Sequence, residues 1–559
     1  MRMHSTMSAS SDSSATDVEQ GNENHPPQLS ALFLIVFDQK VGYTVAWKRC
    51  STDVSLDGAV EFKSLPSGLH AVKSDLVYFV HEGYAGLSAF CNKPASAAER
   101  NAHFVAVGIL VPLSYGRLGR SWLHAGKLEK LASALADDAT ATAPLEEFWE
   151  EQSKPSASGL SPKILQMKTH SRARALSTIT AVIPSEQSLP AYHPALSILQ
   201  YIDLFGPLVY RLQQAALLRK RILFVGAPPV RATCEFVYDL SVLSSLPSSL
   251  SDLLPPGSET LHRLRSLFSL GIHDIPLLEK LRTPSPEDDQ SSGIELDSQG
   301  PGSHGWVACT TDEIIATKKQ LYDIIVEIPP TYDAAPQKRR WPTIRNSDGT
   351  LIRASQRDVW RYKLLHHELW KYRRDSPSNA NGDASTNDNI NQDEDERAAL
   401  LRHSESPDED DSLSETYDDK VAEPMTWSQL AYSGFMWWAS AGEKDAYMIE
   451  ERDRDREVLG DLSDFQTGLH TAVIAYFHRL TCSLVRRLAA LIEAMDDEDG
   501  GADGEQEVLV VTRDDLSRVG LDSWSEGDKA FVEDFLWLYF GRRAEVQGAN
   551  LECCGMQVC

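Results

Sequence analysis

The stretch ALFLIVFDQKVGYTVAWKR, Ala31–Arg49, decides how the rest of the chain reads. Apolar residues from Ala31 to Phe37 run into Asp38, Gln39 and Lys40. A second run, Val41 to Trp47, ends in the basic pair Lys48–Arg49. A membrane anchor needs about 20 apolar residues, far more than either run offers. A secretory signal needs an apolar segment near the start, and residues 1–28 are rich in Ser, Asn and Pro instead. Two β-prone runs around polar turn residues, with Val41, Tyr43, Val45 and Trp47 alternating, are the pattern of a hairpin. The stretch reads as the first hairpin of a buried sheet, and residues 1–28 as a disordered tail.

A chain of 559 residues exceeds one core and implies about two to four domains. The net charge of −27 is localised. Residues 376–424 hold 15 acidic and 3 basic residues, and residues 496–507 hold 7 acidic and none basic. The remainder is mildly acidic, which excludes a nucleic-acid platform. The 8 cysteines form no C-x-x-C pair, and no histidine pair stands at zinc spacing, so buried free thiols in a reducing compartment are expected. The tail LECCGMQVC places Met556 where a prenylation box needs cysteine. No window reaches the length of a membrane-spanning helix.

Five strand-like runs and a helix fill residues 29–150. After the hairpin comes GAVEFKSLPSGLH, with a turn at Pro66 and Gly68. DLVYFVHEG and YAGLSAFCNK follow, hinged at Gly83, then HFVAVGILVP and a helical pattern through Leu118, Trp122, Leu128, Leu131 and Leu135. This is an α+β domain, joined by a linker at 151–190 to a block of different style. Residues 191–330 alternate helices with short apolar strands, the mark of an α/β domain with a mainly parallel sheet. That sheet is expected to contain Ile222–Val225, Val307–Cys309 and Tyr322–Ile328. Thr310 and Glu313 have the spacing of a capping box.

A basic amphipathic segment, 331–375, carries RDVWRYKLLHHELWKYRR and reads as a docking helix with a solvated basic face. The sharper alternative is contact with a membrane surface or acidic partner. The acidic insert, 376–424, is too polar to fold alone. Residues 425–559 read as all-α, opened by a capping box at Thr426 and Gln429. A long helix follows, apolar at Leu469, Val473, Phe477, Leu480, Leu484, Leu488 and Ile492. Residues 1–28, much of 284–303, 376–423 and 496–507 are expected to be unstructured.

Side-chain chemistry is hard to find. FVGAPP places glycine after a strand, but two prolines stand where a phosphate would need backbone N–H groups. GYAGLS lacks the spacing of a nucleophile elbow. His70, His81 and His103 lie in or beside strands, and His366–His367 point apart on a helix. Ser285 and Ser406 are candidate phosphorylation sites in acidic loops. No catalytic residue, metal site or cofactor is expected. Function then lies in surfaces.

The longer runs resemble a known family. FDQKVGYTVAWKR, GAVEFKSLPSGLH, DLVYFVHEGYAGLSAFCNK and VAVGILVPLSYGRLGRSWLH resemble the amino-terminal module of LCHN-type DENN-domain proteins. LFSLGIHDIPLLEK and GWVACTTDEIIATKKQLYDIIVEIP resemble the central module, and MTWSQLAYSGFMWWASAGE the carboxy-terminal part. The chain is similar to a divergent, fungal-like member. The resemblance implies a longin-like amino-terminal domain, a central α/β DENN domain and a helical carboxy-terminal domain. It also implies a guanine nucleotide exchange factor for a Rab-type small GTPase in vesicle trafficking, cytoplasmic and peripheral on endomembranes. The alternative is a DENN-fold adaptor or effector without exchange activity.

Exchange needs no catalytic triad. A factor that prefers the GTPase switch loops displaced weakens nucleotide binding reciprocally, which takes a complementary surface of about 800 Å² per partner. The candidate partner-binding residues are Asp38, Gln39, Lys40, Gly42 and Tyr43 at the hairpin, with Thr310, Thr311, Asp312 and Glu313 in the central block. Both sets lie at strand ends, where α/β sheets place binding loops. Trp47 and Tyr322 are excluded as core residues.

Overall fold

The computed structural model describes residues 26–38, 40, 42–51, 54–69, 72–93, 103–153, 189–282, 305–330, 340–375, 420–439, 449–460, 468–498, 508–547, 551–553 and 556–558. The opening stretch is a hairpin. Strand β1 (Ala31–Asp38) pairs antiparallel with β2 (Gly42–Cys50), with one register irregularity between Leu34 and Ile35. Gly42 takes a φ of +92°, a conformation glycine adopts without strain. A short helix, α1 (Val60–Ser64), precedes the Pro66–Gly68 turn. Then β3 (Ser74–His81), β4 (Tyr84–Lys93) and β5 (His103–Pro112) form an antiparallel meander whose last strand pairs with β1. Packing here relies on glycine: Phe79 lies opposite Gly86 and Phe33 opposite Gly108. A Cβ on Gly108 would meet the Phe33 ring at 2.3 Å. Helices α2 (Ala125–Leu135) and α3 (Ala143–Ser153) complete this block, with α2 laid over β4 and β5.

The central block opens with α4 (Ile198–Phe205) and α5 (Leu208–Leu217), broken at Gly206–Pro207 as expected. Next come β6 (Ile222–Val225), α6 (Arg231–Leu243), β7 (Arg265–Ser269), α7 (Ile275–Arg282), β8 (Trp306–Thr310), α8 (Glu313–Thr317) and β9 (Ile324–Glu327). Strands β6 to β9 pair in parallel in the order β9-β6-β8-β7. The expected span Tyr322–Ile328 shortens to Ile324–Glu327, with Tyr322 buried just before it.

Two strands in the segment read as a basic helix, β10 (Thr343–Asn346) and β11 (Leu351–Ile352), add antiparallel to the edge of β9. At the other side β7 reaches β3 through Phe268 and Phe79, so one 11-stranded mixed sheet runs through both blocks. Joining the sheets buries two edges that would otherwise expose unpaired backbone.

The carboxy-terminal elements are α9 (Gln356–Asp375), α10 (Trp427–Ala439), α11 (Ile449–Leu459), α12 (Leu469–Glu498), α13 (Arg513–Val519) and α14 (Glu526–Phe540). They are not all-α: β12 (Leu509–Val511) and β13 (Ala544–Val546) form a parallel pair, and β14 (Leu551–Cys553) and β15 (Met556–Val558) an antiparallel one. The apolar stripe of α12 packs on the central block. The Tyr476 and Tyr210 hydroxyls lie 3.1 Å apart, and Gln213 donates to Thr481 Oγ1 at 3.1 Å.

Several expectations need correction. The Thr310–Glu313 box does not form. Asp312 is the N-cap residue of α8, and Thr310 ends β8 with its hydroxyl donated to the Leu270 carbonyl at 2.9 Å. Thr426 does cap α10, accepting from the Gln429 amide at 3.2 Å. Of the segments expected to be unstructured, residues 1–25, 283–304, 376–419 and 499–507 lie outside the described residues, and with them Ser285 and Ser406. The described remainders are docked. Gln28 donates to the Ser153 carbonyl at 2.7 Å, Ala354 pairs with Ala422, and α12 continues through Asp496 to Glu498, held by Arg542 at 2.6 Å.

The basic face of α9 is not solvated at its start: Arg357 and Arg361 are buried and both bind Asp455. Only Cys234 and Cys309 are buried among the described cysteines, while Cys50 is exposed.

Candidate functional site

In a strand–turn–helix unit such as β6–α6, the free amides at the helix start attract anions. Here the anion is supplied by the protein. Asp75, on β3, accepts from the Val230 amide at 2.5 Å and the Arg231 amide at 3.2 Å. Burial pushes its carboxyl up to about 6, against the pull of those amides and of the Arg231 charge. Arg231 is itself tied to Glu235 at 2.8 Å. The position a phosphate would take in a nucleotide-binding fold is filled from within.

The loops at the ends of β7 and β8 form a surface with the amino-terminal block. Asp312 accepts a hydrogen bond from the Ser67 hydroxyl at 2.5 Å, and its own amide donates to Thr310 Oγ1 at 3.0 Å. One turn away, Lys63 pairs with the buried Asp274 at 2.7 Å and donates to the Val80 carbonyl at 2.8 Å. The Phe62 and His273 rings stack with centroids 4.0 Å apart. Gly68, at φ +88°, turns the chain against Pro228. These polar ties fix two apolar side chains in the open: Ile272 is 42% exposed and Ile314 55% exposed.

The four central candidates therefore divide. Thr310 is buried and structural, Thr311 is half-buried, Asp312 bridges the two blocks, and Glu313 is exposed. Ile272, Ile314 and Ser67 were missed by sequence reasoning. An exposed isoleucine gives no sequence signal, because its burial depends on which face of its short helical turn meets the rest of the fold.

At the hairpin, Lys40 is exposed, and Tyr43 is half-buried with its ring edge-on to Phe37 at 5.5 Å. Burial raises its hydroxyl pKa. Gln39 and the side chain of Asp38 lie outside the described residues. Between β8 and β1 the sheet order counts five strand intervals, on the order of 24 Å at about 4.8 Å each. The two candidate sets are thus separate patches of one sheet. The excluded residues behave differently: Tyr322 is buried, while Trp47 is half-buried on the edge strand and donates to Glu146 at 3.2 Å.

Among the described residues, no catalytic constellation surrounds these loops. His81 is buried, with its ring nitrogen 2.7 Å from the Ser55 carbonyl, and burial lowers its pKa. His70 and the side chain of His103 lie outside the described residues. Among the described residues no group of acidic, histidine or cysteine side chains could hold a metal ion, and no helix is long and apolar enough to cross a membrane.

The family model described as DENN domain-containing protein 11 matches residues 32–338. A second, described as a domain of unknown function (DUF4484), matches 422–507 and 497–559. Among curated proteins, the chain is similar to DENN domain-containing protein 11 of Danio rerio, 31% identical over 65% of this chain and 64% of that protein. The Xenopus laevis protein of the same name is 31% identical over 63% and 69%. "Uncharacterized protein ANR2" of Saccharomyces cerevisiae is 23% identical over 95% of this chain and 94% of its own. The chain thus spans a little under two thirds of the Danio rerio protein.

Proposed function

The chain belongs to the DENN domain-containing protein 11 family, and from that premise we propose that it is a guanine nucleotide exchange factor for a Rab-type small GTPase. DENN-domain proteins in general act on Rab GTPases at endomembranes. The observation that carries the reading here is the two-block surface around Asp312. Exposed Ile272 and Ile314 flank a carboxylate that is held by Ser67 of the neighbouring block. A partner seated there touches both blocks and gains the area that one small loop lacks. Exchange would follow from preference for displaced switch loops, with no proton or group transfer by this chain.

The test is release of fluorescent GDP from a panel of purified Rab proteins, with the wild-type chain and with Asp312→Lys. Accelerated release from at least one Rab, lost in the variant, is the expected result. No acceleration from any of them, with capture of a GTP-bound Rab instead, overturns exchange in favour of an adaptor or effector. Acceleration that the variant retains moves the partner surface elsewhere, with Asp38 at the hairpin as the next position to reverse.

A further inference from the structure

Where α9, α11 and α12 meet, a cleft of about 50 Å³ opens, and its lining includes Arg357, Arg361, Arg454 and Arg487. Four guanidinium groups around so small a space need anions. Asp455 answers two of them, accepting from Arg357 at 3.0 Å and from Arg361 at 2.7 Å. Arg357 also donates to the Ser517 and Leu521 carbonyls at 3.0 and 3.1 Å. Arg454 pairs with Glu450 at 3.0 Å. The second carboxylate in the lining, Asp358, faces Arg211 at 3.0 Å. Arg487 is left half-buried. It makes no hydrogen bond among the described residues, and the largest charges acting on it are those of Arg454 and Arg357, followed by Glu457 and Arg361.

We propose that this cleft is a phosphate-binding site, with Arg487 and Arg454 as the groups that grip the phosphate. Asp455 holds Arg357 and Arg361 in place behind them, so the cationic wall is fixed before a ligand arrives. Guanidinium groups match tetrahedral oxyanions through paired N–H donors. The volume suits one phosphate group, since each water needs about 10–15 Å³ by the same measure. Ser483, also in the lining on α12, supplies a hydroxyl donor, whereas the Thr481 hydroxyl is spent on the Phe477 carbonyl at 3.1 Å. The site lies between the central and carboxy-terminal elements and is independent of the Rab-facing loops.

Calorimetric titration of the full chain with pyrophosphate and with inositol hexakisphosphate, at constant ionic strength, tests this. Flotation with phosphatidylcholine vesicles containing a phosphorylated inositol lipid is the second arm. Saturable binding is expected, weakened about tenfold or more by Arg487→Gln. Ser483→Asp, which puts a carboxylate one helical turn from Arg487, should abolish it. Arg486→Gln, at an exposed position of the same helix, should bind as wild type. Binding to vesicles alone assigns the phosphate to a lipid headgroup, and binding to the soluble probes alone to a free ligand. No saturable binding in either arm overturns the proposal, as does equal weakening by Arg486→Gln and Arg487→Gln. So does undiminished binding by folded Ser483→Asp.

Discussion

Asp75 of β3 accepts hydrogen bonds from the Val230 and Arg231 amides, so the amino-terminal block caps the first helix to follow a central strand. Removing that carboxylate leaves buried donors without an acceptor. Asp75→Ala is expected to destabilise the chain by about 2–3 kcal/mol, read as a shift in the urea midpoint. Asp75→Asn, which keeps one acceptor oxygen, should cost less. Equal stability of all three proteins would show that the cap does not couple the blocks.

Acid should loosen the junction of the three sequence blocks. His193 stands between Trp122 and Tyr238, with ring centroids 4.9 and 5.9 Å away. Burial first, then the nearby charges of His470 and Arg120, push its pKa from 6.5 down to about 4. The unfolded chain therefore takes up this proton first as pH falls. The stability contribution is intact above pH ~6.5 and is lost toward pH ~4, the loss reaching about 2 kcal/mol at pH ~5. Asp75, pushed up to about 6, works in the opposite sense over the lower part of that range. His193→Asn keeps an acceptor for the Ala195 amide and should flatten the slope of melting temperature against pH between about 7.5 and 5. An unchanged slope would mean that other groups set it.

Gly108 makes room for the Phe33 ring. Gly108→Ala forces that ring or the β5 backbone to move, at an expected cost of about 1–3 kcal/mol. The combined change Gly108→Ala with Phe33→Leu should recover part of the loss. Thermal unfolding of the single and double variants checks this.

Arg211 is a buried hub. It binds Asp528 at 2.7 Å, lies 3.0 Å from Asp358 and donates to Ser525 at 2.9 Å. The carboxylate charges hold its pKa above the ordinary arginine value despite burial. Arg211→Met strands Asp528 and Asp358, and a loss of about 3–5 kcal/mol is expected. Arg211→Lys should recover little, because one ammonium cannot reproduce the fork. Limited proteolysis should then cut first among residues 425–559. Wild-type protection of that region in Arg211→Met would count against the hub.

Ile314→Glu tests the partner surface without touching a core. Because the side chain is 55% exposed, stability should change by less than about 0.5 kcal/mol. Rab binding measured by surface capture should fall about tenfold or more. Unchanged binding would remove Ile314 from the interface.

The local elements were legible in the sequence because each is decided by near neighbours. The alternation in Val41–Trp47 and the polar Asp38–Lys40 break specified the hairpin. Gly206–Pro207 split α4 from α5, and the apolar period of Leu469–Ile492 marked α12. The continuous runs of β6 and β8 announced a parallel sheet with both faces covered. Glycine opposite Phe33 and Phe79 was in plain view too, but its purpose waited on the register.

Tertiary structure decided what distant pairs decide. Strand β10 is short and mostly polar and β11 is only Leu351–Ile352; they become strands because β9 offers β10 an edge and β10 in turn pairs with β11. Thr310 and Glu313 had the spacing of a cap, but Thr310 ends β8 with its hydroxyl oxygen accepting from the Asp312 amide, and the helix starts from Asp312 instead. Arg357 and Arg361 looked like a solvated basic face until Asp455, 98 and 94 residues further on, drew them inside. The sharing of one sheet by two sequence blocks rests on Phe79 meeting Phe268. Spacing along a chain reports which residues share a face, but what that face meets depends on contacts whose loop-closure cost grows only slowly with separation.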